Sequence, residues 1–225
     1  MFYWLSEYSS QFHIFKYLTF RAAAACFTSM LVVILLGPLC VRLLKKFSAV
    51  APMRMQGLVP DEELDYSKAK TPSMGGLLIV LGITISTLLW APIQNPLMPL
   101  FLINLICFCG IGFYDDYRKV VYQDRDGISG KLKLLLQTLI ACGATYAISQ
   151  MPEVGAYSQD LMFPFFKEPI LKLPLWGAMI FSSLVLIGSS NAVNLTDGLD
   201  GLATGCMIIC AGTFIIFAYL SGHFK

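Results

Sequence analysis

The sequence predicts an all-α protein that crosses a membrane about six times, and three observations carry that prediction. Of 225 residues, 56% are hydrophobic and only 13% charged, with a mean hydropathy of +0.68, whereas soluble chains run at about 25% charged. The charge deficit is concentrated in separate apolar runs of about twenty residues, the length that spans roughly 30 Å of hydrocarbon. Between those runs lie short segments dense in carboxylates, lysines and glycines, which crossing a membrane does not require.

Taken in order, residues 1–19 mix aromatics with Ser, Gln and His and read as interfacial, without the basic, apolar and small-residue pattern of a cleavable signal peptide. The first span, about 19–44, has Arg21 near one end and Arg42, Lys45 and Lys46 at the other, long side chains that snorkel to the headgroups. Residues 47–73 form a polar loop with Arg54, Asp61-Glu62-Glu63, Lys68 and Lys70. Thr71-Pro-Ser-Met-Gly-Gly76 then opens a second span, about 74–92, with Trp90 as an interfacial anchor. The third, about 98–114, ends in Asp115-Asp116-Tyr-Arg-Lys119, and its loop continues to Lys131 and Lys133. The fourth, about 132–151, leads to a longer connection with Pro164-Phe-Phe-Lys167. A fifth span follows over about 174–190 and a sixth over about 199–220, where Gly201 and Gly205 offer a GxxxG packing face. All of 1–225 reads as one integral-membrane domain. The seven cysteines lie in or beside apolar runs and read as small buried hydrophobes, and His13 and His223 are too far apart in sequence for a zinc signature.

Basic residues sort the loops into two sets. The connection after the first span carries five (Lys45, Lys46, Arg54, Lys68, Lys70), and the one after the third carries five (Arg118, Lys119, Arg125, Lys131, Lys133). The alternate connections carry none and two (Lys167, Lys172). The positive-inside rule then sets the N-terminus outside. By the same parity Lys68–Gly76, Asp115–Lys133 and Asn191–Gly201 all face the cytoplasm, which favours one site at the membrane surface over three unrelated loops.

The chemistry of those segments points one way. Asp115 and Asp116 are adjacent, so at a helix end they diverge by about 100°, one toward a cleft and the other toward a neighbouring helix or a metal. Asp197 and Asp200, three apart, share a face if the sixth helix starts near them. Four carboxylates on one surface call for a cation, and Mg²⁺ suits hard oxygen ligands shared with substrate phosphates. The neighbouring lysines suit phosphate as well, and Gly198 and Gly201 let backbone N–H groups approach an anion. Bland readings stand beside these. Asn194 or Thr196 fits an N-cap, as does Thr71 or Ser73, and basic loops follow from topology alone. A transporter would hide its charges near the midplane of broken helices, whereas these spans carry almost none.

Lys68 with Thr71-Pro-Ser-Met-Gly-Gly76, Gly112-Phe-Tyr-Asp-Asp-Tyr-Arg-Lys119, the segment from Gly127 to Gln137, Pro164-Phe-Phe-Lys167 and Asn191-Ala-Val-Asn-Leu-Thr-Asp-Gly-Leu-Asp-Gly-Leu-Ala203 together resemble the bacterial phospho-N-acetylmuramoyl-pentapeptide-transferase family, within the polyprenyl-phosphate sugar-1-phosphate transferases. The resemblance implies transfer of phospho-N-acetylmuramoyl-pentapeptide from its UDP carrier to undecaprenyl phosphate, with Mg²⁺, giving a lipid-linked intermediate of peptidoglycan and UMP. A paralogous UDP-N-acetylaminosugar-1-phosphate transferase and a non-catalytic membrane fragment are the alternatives. By resemblance Asp115 and Asp116 are catalytic and metal-binding, with Asp115 the base or nucleophile at the lipid phosphate. Lys68, Thr71, Asn194, Asp197, Gly198 and Asp200 line the nucleotide cleft, and Lys119 and Lys131 hold diphosphate. The resemblance also implies a multi-pass protein of the bacterial cytoplasmic (inner) membrane with its active face cytoplasmic. A second copy of the chain is a further partner; nucleic acid is not.

Departures from the family pattern are Lys70 where Gly is usual, Ser73 where Thr is usual, and Gln123 at a commonly basic position. The family has ten spans, and its later loops supply a further aspartate, the expected main Mg²⁺ ligand, and a histidine-rich segment. On that comparison the expectation is a truncated chain without activity alone.

Overall fold

The computed structural model describes residues 2–4, 10–46, 73–123, 127–163, 166, 168–197 and 201–223. After a 3-10 turn at Ser10–Lys16, six α-helices follow: α1 (Leu18–Lys46), α2 (Gly76–Trp90), α3 (Leu97–Val121), α4 (Gly130–Ser149), α5 (Leu175–Thr196) and α6 (Leu202–His223). A two-residue antiparallel pair, β1 (Asp160–Leu161) with β2 (Leu171–Lys172), ties together the α4–α5 connection. The fold is an all-α, multi-pass membrane fold. Helices satisfy every backbone group within the segment, which hydrocarbon demands.

Five of the helices, all but α2, are long and apolar enough to cross a membrane. With 15 residues α2 reaches about 22 Å, short of the 74–92 span expected from hydropathy. Both ends explain the difference. Met74 sits at a φ of 73° and delays the helical start, while Pro92 holds Ala91 in an extended conformation that ends it. In α3 and α5 the helix continues past the expected boundary: α3 carries on from Tyr114 to Val121 and α5 from Ser190 to Thr196. Asp115 and Asp116 are therefore inside a helix rather than beyond its end. Likewise the Asn191–Thr196 stretch is the last part of α5 rather than a connection.

The burial pattern is that of a bundle in lipid. Among the described residues the enclosed side chains include Ser86, Lys119, Gln137, Thr145 and Ser183 beside Leu102, Ile111, Ile128, Ala141 and Ala178, while large apolar side chains line the outside of every helix. Small residues let helices approach where hydrophobic exclusion cannot drive association. Gly82 of α2 lies where a Cβ would come within 3.1 Å of Ser29 Oγ and 3.2 Å of the Ser29 carbonyl on α1. The same two helices are joined at the far end by Trp90 Nε1 donating to Thr28 Oγ1 at 3.0 Å, and Trp90 packs in tilted contact with the rings of Phe2 and Phe15 in the N-terminal segment.

Two expectations are corrected here. Cys26, Cys206 and Cys210 are exposed on helix surfaces instead of buried, since apolar solvent accepts a thiol as readily as a core does. Among the described residues the GxxxG face finds no neighbour: a Cβ added to Gly201 or Gly205 would meet none of their atoms within 4 Å, and α6 touches the bundle mainly through α5.

Candidate active site

A cavity of about 290 Å³ opens at the end of the bundle where α2 and α4 begin and α3 and α5 finish. Its lining joins Met74, Gly76, Leu77 and Val80 to Cys109, Gly112, Phe113, Asp115 and Asp116, with Lys133, Asn194 and Asp197 completing it. Three segments far apart in sequence thus meet at one end, each positioned by a helix terminus. Both members of the aspartate pair line the cavity, where adjacency in sequence suggests that one turns away.

Asp115 is the most tightly organised group there. One oxygen, Oδ1, accepts from the Ile128 backbone N–H at 2.9 Å, and Oδ2 accepts from the ammonium of Lys119 one turn later. Lys119 is only 8% exposed. It therefore stands behind Asp115 rather than among the residues lining the cavity, and in this arrangement it balances the carboxylate's charge. The loop that brings Ile128 across depends on Gly127. That residue has a φ of +67°, and a Cβ on it would lie 2.8 Å from Lys119 Cε and 3.0 Å from Asp115 Cγ. Such a position excludes every side chain on both conformational and steric grounds. Ser129 then caps α4, its Oγ accepting from Leu132 N.

On the opposite wall Asn194 belongs to the last helical turns of α5, and Asp197 is its C-terminal cap residue. The capping alternatives fail at both motifs. Thr196 is inside α5, donating to the Ala192 carbonyl at 2.8 Å, and α2 starts from Gly75 with no side-chain cap. Met74, beside it, holds a left-handed backbone conformation at the cavity wall, the kind of local strain that collects at functional sites.

Of the site residues named from sequence, Asp115, Asp116, Asn194 and Asp197 come together. Lys119 supports them from behind, and Lys131 is exposed on α4 away from the lining. Lys68, Thr71, Gly198 and Asp200 lie outside the described residues. Lys133, Gly127 and Ile128 join the site without having been named as site residues, although Lys133 is one of the basic loop residues and Gly127 opens a segment that carries the resemblance. Two positions from Lys131, Lys133 is turned by about 200° on a helix, so one lysine faces the cavity while the other faces out; which one does so depends on the helix's rotation, which sequence does not state. For Gly127 a signal was available, an isolated glycine just before the Ser129 cap.

The C-terminal part of the chain, residues 98–225, matches glycosyl transferase family 4, and residues 68–80 match the phospho-N-acetylmuramoyl-pentapeptide-transferase signature 1. Three similar proteins, each named phospho-N-acetylmuramoyl-pentapeptide-transferase, come from Methylacidiphilum infernorum (isolate V4), Neisseria meningitidis serogroup C (strain 053442) and Neisseria gonorrhoeae (strain NCCP11945). They are 43%, 42% and 41% identical over 99%, 100% and 100% of this chain. The chain spans 62% of the length of each of these relatives. With its family match covering more than half the chain and the aspartate pair and Asn194 wall both inside it, the protein belongs to glycosyl transferase family 4.

Proposed function

We propose that the protein takes part in transfer of phospho-N-acetylmuramoyl-pentapeptide from its UDP carrier to undecaprenyl phosphate, at the cytoplasmic face of the bacterial inner membrane. The observation that carries this reading is the convergence of Asp115, Asp116, Lys133, Asn194 and Asp197 on one cavity at the end of a lipid-facing bundle. A lipid acceptor enters from the bilayer and a water-soluble nucleotide donor from the other side, so chemistry between them belongs at such an end. The names of the relatives support the donor.

The reaction is a phosphoryl transfer. An oxygen of the lipid phosphate forms a bond to the sugar-bearing phosphorus of the donor, and the bond from that phosphorus to the bridging oxygen breaks, releasing UMP. Positioning and charge stabilisation dominate such reactions. In this cavity Lys133 offers a cation for diphosphate, while the Asn194 amide and Asp197 offer polar contacts to the nucleotide. Asp115 accepts one hydrogen bond at each oxygen, from Lys119 and from the Ile128 N–H, and the remaining lone pair on each oxygen is what it offers to a metal or to the transfer. Asp116 and Asp115 together fit one Mg²⁺, which takes one or two carboxylates and completes its shell with phosphates and water. Among the described residues no group of three or more His, Cys, Asp or Glu side chains forms a metal cage. When bound, the ion would offset charge on the diphosphate and on departing UMP.

The test is UMP release by the full-length product of the gene in bilayers, given UDP-N-acetylmuramoyl-pentapeptide, undecaprenyl phosphate and Mg²⁺. Release is expected, with a loss of at least a hundredfold in Asp115→Asn. Preference for another UDP-N-acetylaminosugar would replace this reading by the paralogous one, and no release from any of them would refute the transferase reading.

A further inference from the structure

We infer that Gln137 is a positioning residue, holding the α5 wall of the cavity in register with the α3–α4 wall; the inference rests on the transferase reading for its functional consequence alone. Gln137 is 1% exposed, the one large side chain fully enclosed among the described residues. Its Nε2 donates to Ser190 Oγ at 3.4 Å, and its Oε1 accepts from Asn191 Nδ2 at 3.0 Å. Asn191 also donates to the Ile187 carbonyl at 2.9 Å, which fixes its own rotamer.

The location gives this contact its meaning. Gln137 is four residues after Lys133 on α4, and Asn191 is three before Asn194 on α5, spacings that put each pair on a shared helix face. The Gln137–Asn191 contact therefore lies one turn beneath the two cavity-lining residues, as a floor. Each helix also carries a second element of the site: α4 begins with the loop that presents Ile128 N–H to Asp115, and α5 ends in Asp197.

A buried primary amide is costly unless bonded, and nothing in close packing of α4 on α5 requires one. The neighbouring contact surface uses Ala141 and Ala178, small residues over which one helix slides or rotates against another at little cost, with a sulfur contact of 3.4 Å between Cys142 Sγ and Ser183 Oγ beside them. Two directional hydrogen bonds remove that freedom, the registry role for which buried polar groups are best attested. Interhelical hydrogen bonds in bilayers add little to stability, whereas a displacement of about 1 Å costs on the order of a hundredfold in rate. Loss of Gln137 should thus leave folding nearly intact and turnover poor.

The experiment uses the full-length gene product in lipid nanodiscs, with its cysteines replaced, Cys142 by serine to keep the contact with Ser183, and spin labels at Tyr122, beyond α3, and Leu195, on the end of α5. Both sites are exposed. The unsubstituted chain should give one narrow distance distribution. Gln137→Met, which keeps volume and loses both bonds, should broaden or shift it, lower kcat at least tenfold and leave the melting temperature within a few degrees. Gln137→Glu in its neutral acid form can accept from Asn191 and donate to Ser190, and should restore both distance and kcat. If Gln137→Met does not assemble, Asn191→Ala removes the same bond from the other side and carries the same expectations. An unchanged distance distribution overturns the inference, as does a broadened one with unchanged kcat. If the unsubstituted chain releases no UMP, the transferase reading fails, and a shifted distance still supports the positioning role.

Discussion

Gly127 has no room for a side chain, and the reason lies twelve residues back in the sequence, at Asp115. Its left-handed backbone turns the loop so that Ile128 N–H meets the carboxylate. Substitution by alanine combines strain at a φ of +67° with overlap against the Asp115–Lys119 pair. The expected cost is about 1–3 kcal/mol of stability. Thermal unfolding of Gly127→Ala in detergent measures that cost, and UMP release by the same variant of the full-length gene product should fall at least tenfold. Turnover equal to the parent would show that the loop does not set Asp115. At this scale the sequence is partly legible. Residue type and order point to Asp115, Asp116, Asn194 and Asp197, because carboxylates and amides clustered at the ends of apolar runs have few structural uses. The partners of Asp115 are not legible as partners: the family resemblance makes Lys119 a diphosphate ligand, and only the packing places it behind the carboxylate.

Among the elements, hydropathy locates the helices and misjudges where they end. A hydropathy boundary marks where hydrocarbon stops being the preferred solvent, whereas a helix stops where its backbone bonding or dihedrals fail. Residues 115–119 are polar yet contain nothing that breaks a helix, so α3 continues to Val121. In α2 the opposite holds: apolar composition runs past both ends, but Met74 and Pro92 stop the helix. The close α1–α2 approach at Gly82 yields an element-scale expectation. Gly82→Leu should force the helices apart at Ser29 and Val33, with a cost of about 1–3 kcal/mol for overpacking. Gly82 itself is not among the residues lining the cavity and the contact it makes is with α1, so an assembled variant in which α1 rather than α2 yields should bind nucleotide near the level of the parent. A lower melting temperature with unchanged binding is the expected pair of measurements; an unchanged melting temperature would mean that the contact is not tight.

For the whole molecule, the division of basic residues between connections supports a cytoplasmic location for the cavity end. Tyr122 stands beside the cavity end of α3, and Tyr157 stands in the α4–α5 connection at the other end; both are exposed. In a cysteine-free background, Tyr157→Cys should react with an impermeant maleimide in intact spheroplasts, and Tyr122→Cys only after permeabilisation. The reverse pattern would put the cavity outside.

By itself the sequence determined the all-α membrane class, the approximate positions of the helices and the residue types able to handle phosphate. These follow from composition and from spacing along one chain, which sequence records directly. The tertiary structure decided that Asp115 and Asp116 both line the cavity, that Lys133 rather than Lys131 lines it, and that Gln137 and Asn191 are hydrogen-bonded to each other between α4 and α5. Those outcomes depend on how far each helix is rotated about its own axis, and in lipid that rotation is set by small residues and a few hydrogen bonds between helices, because the apolar faces are nearly indifferent to it.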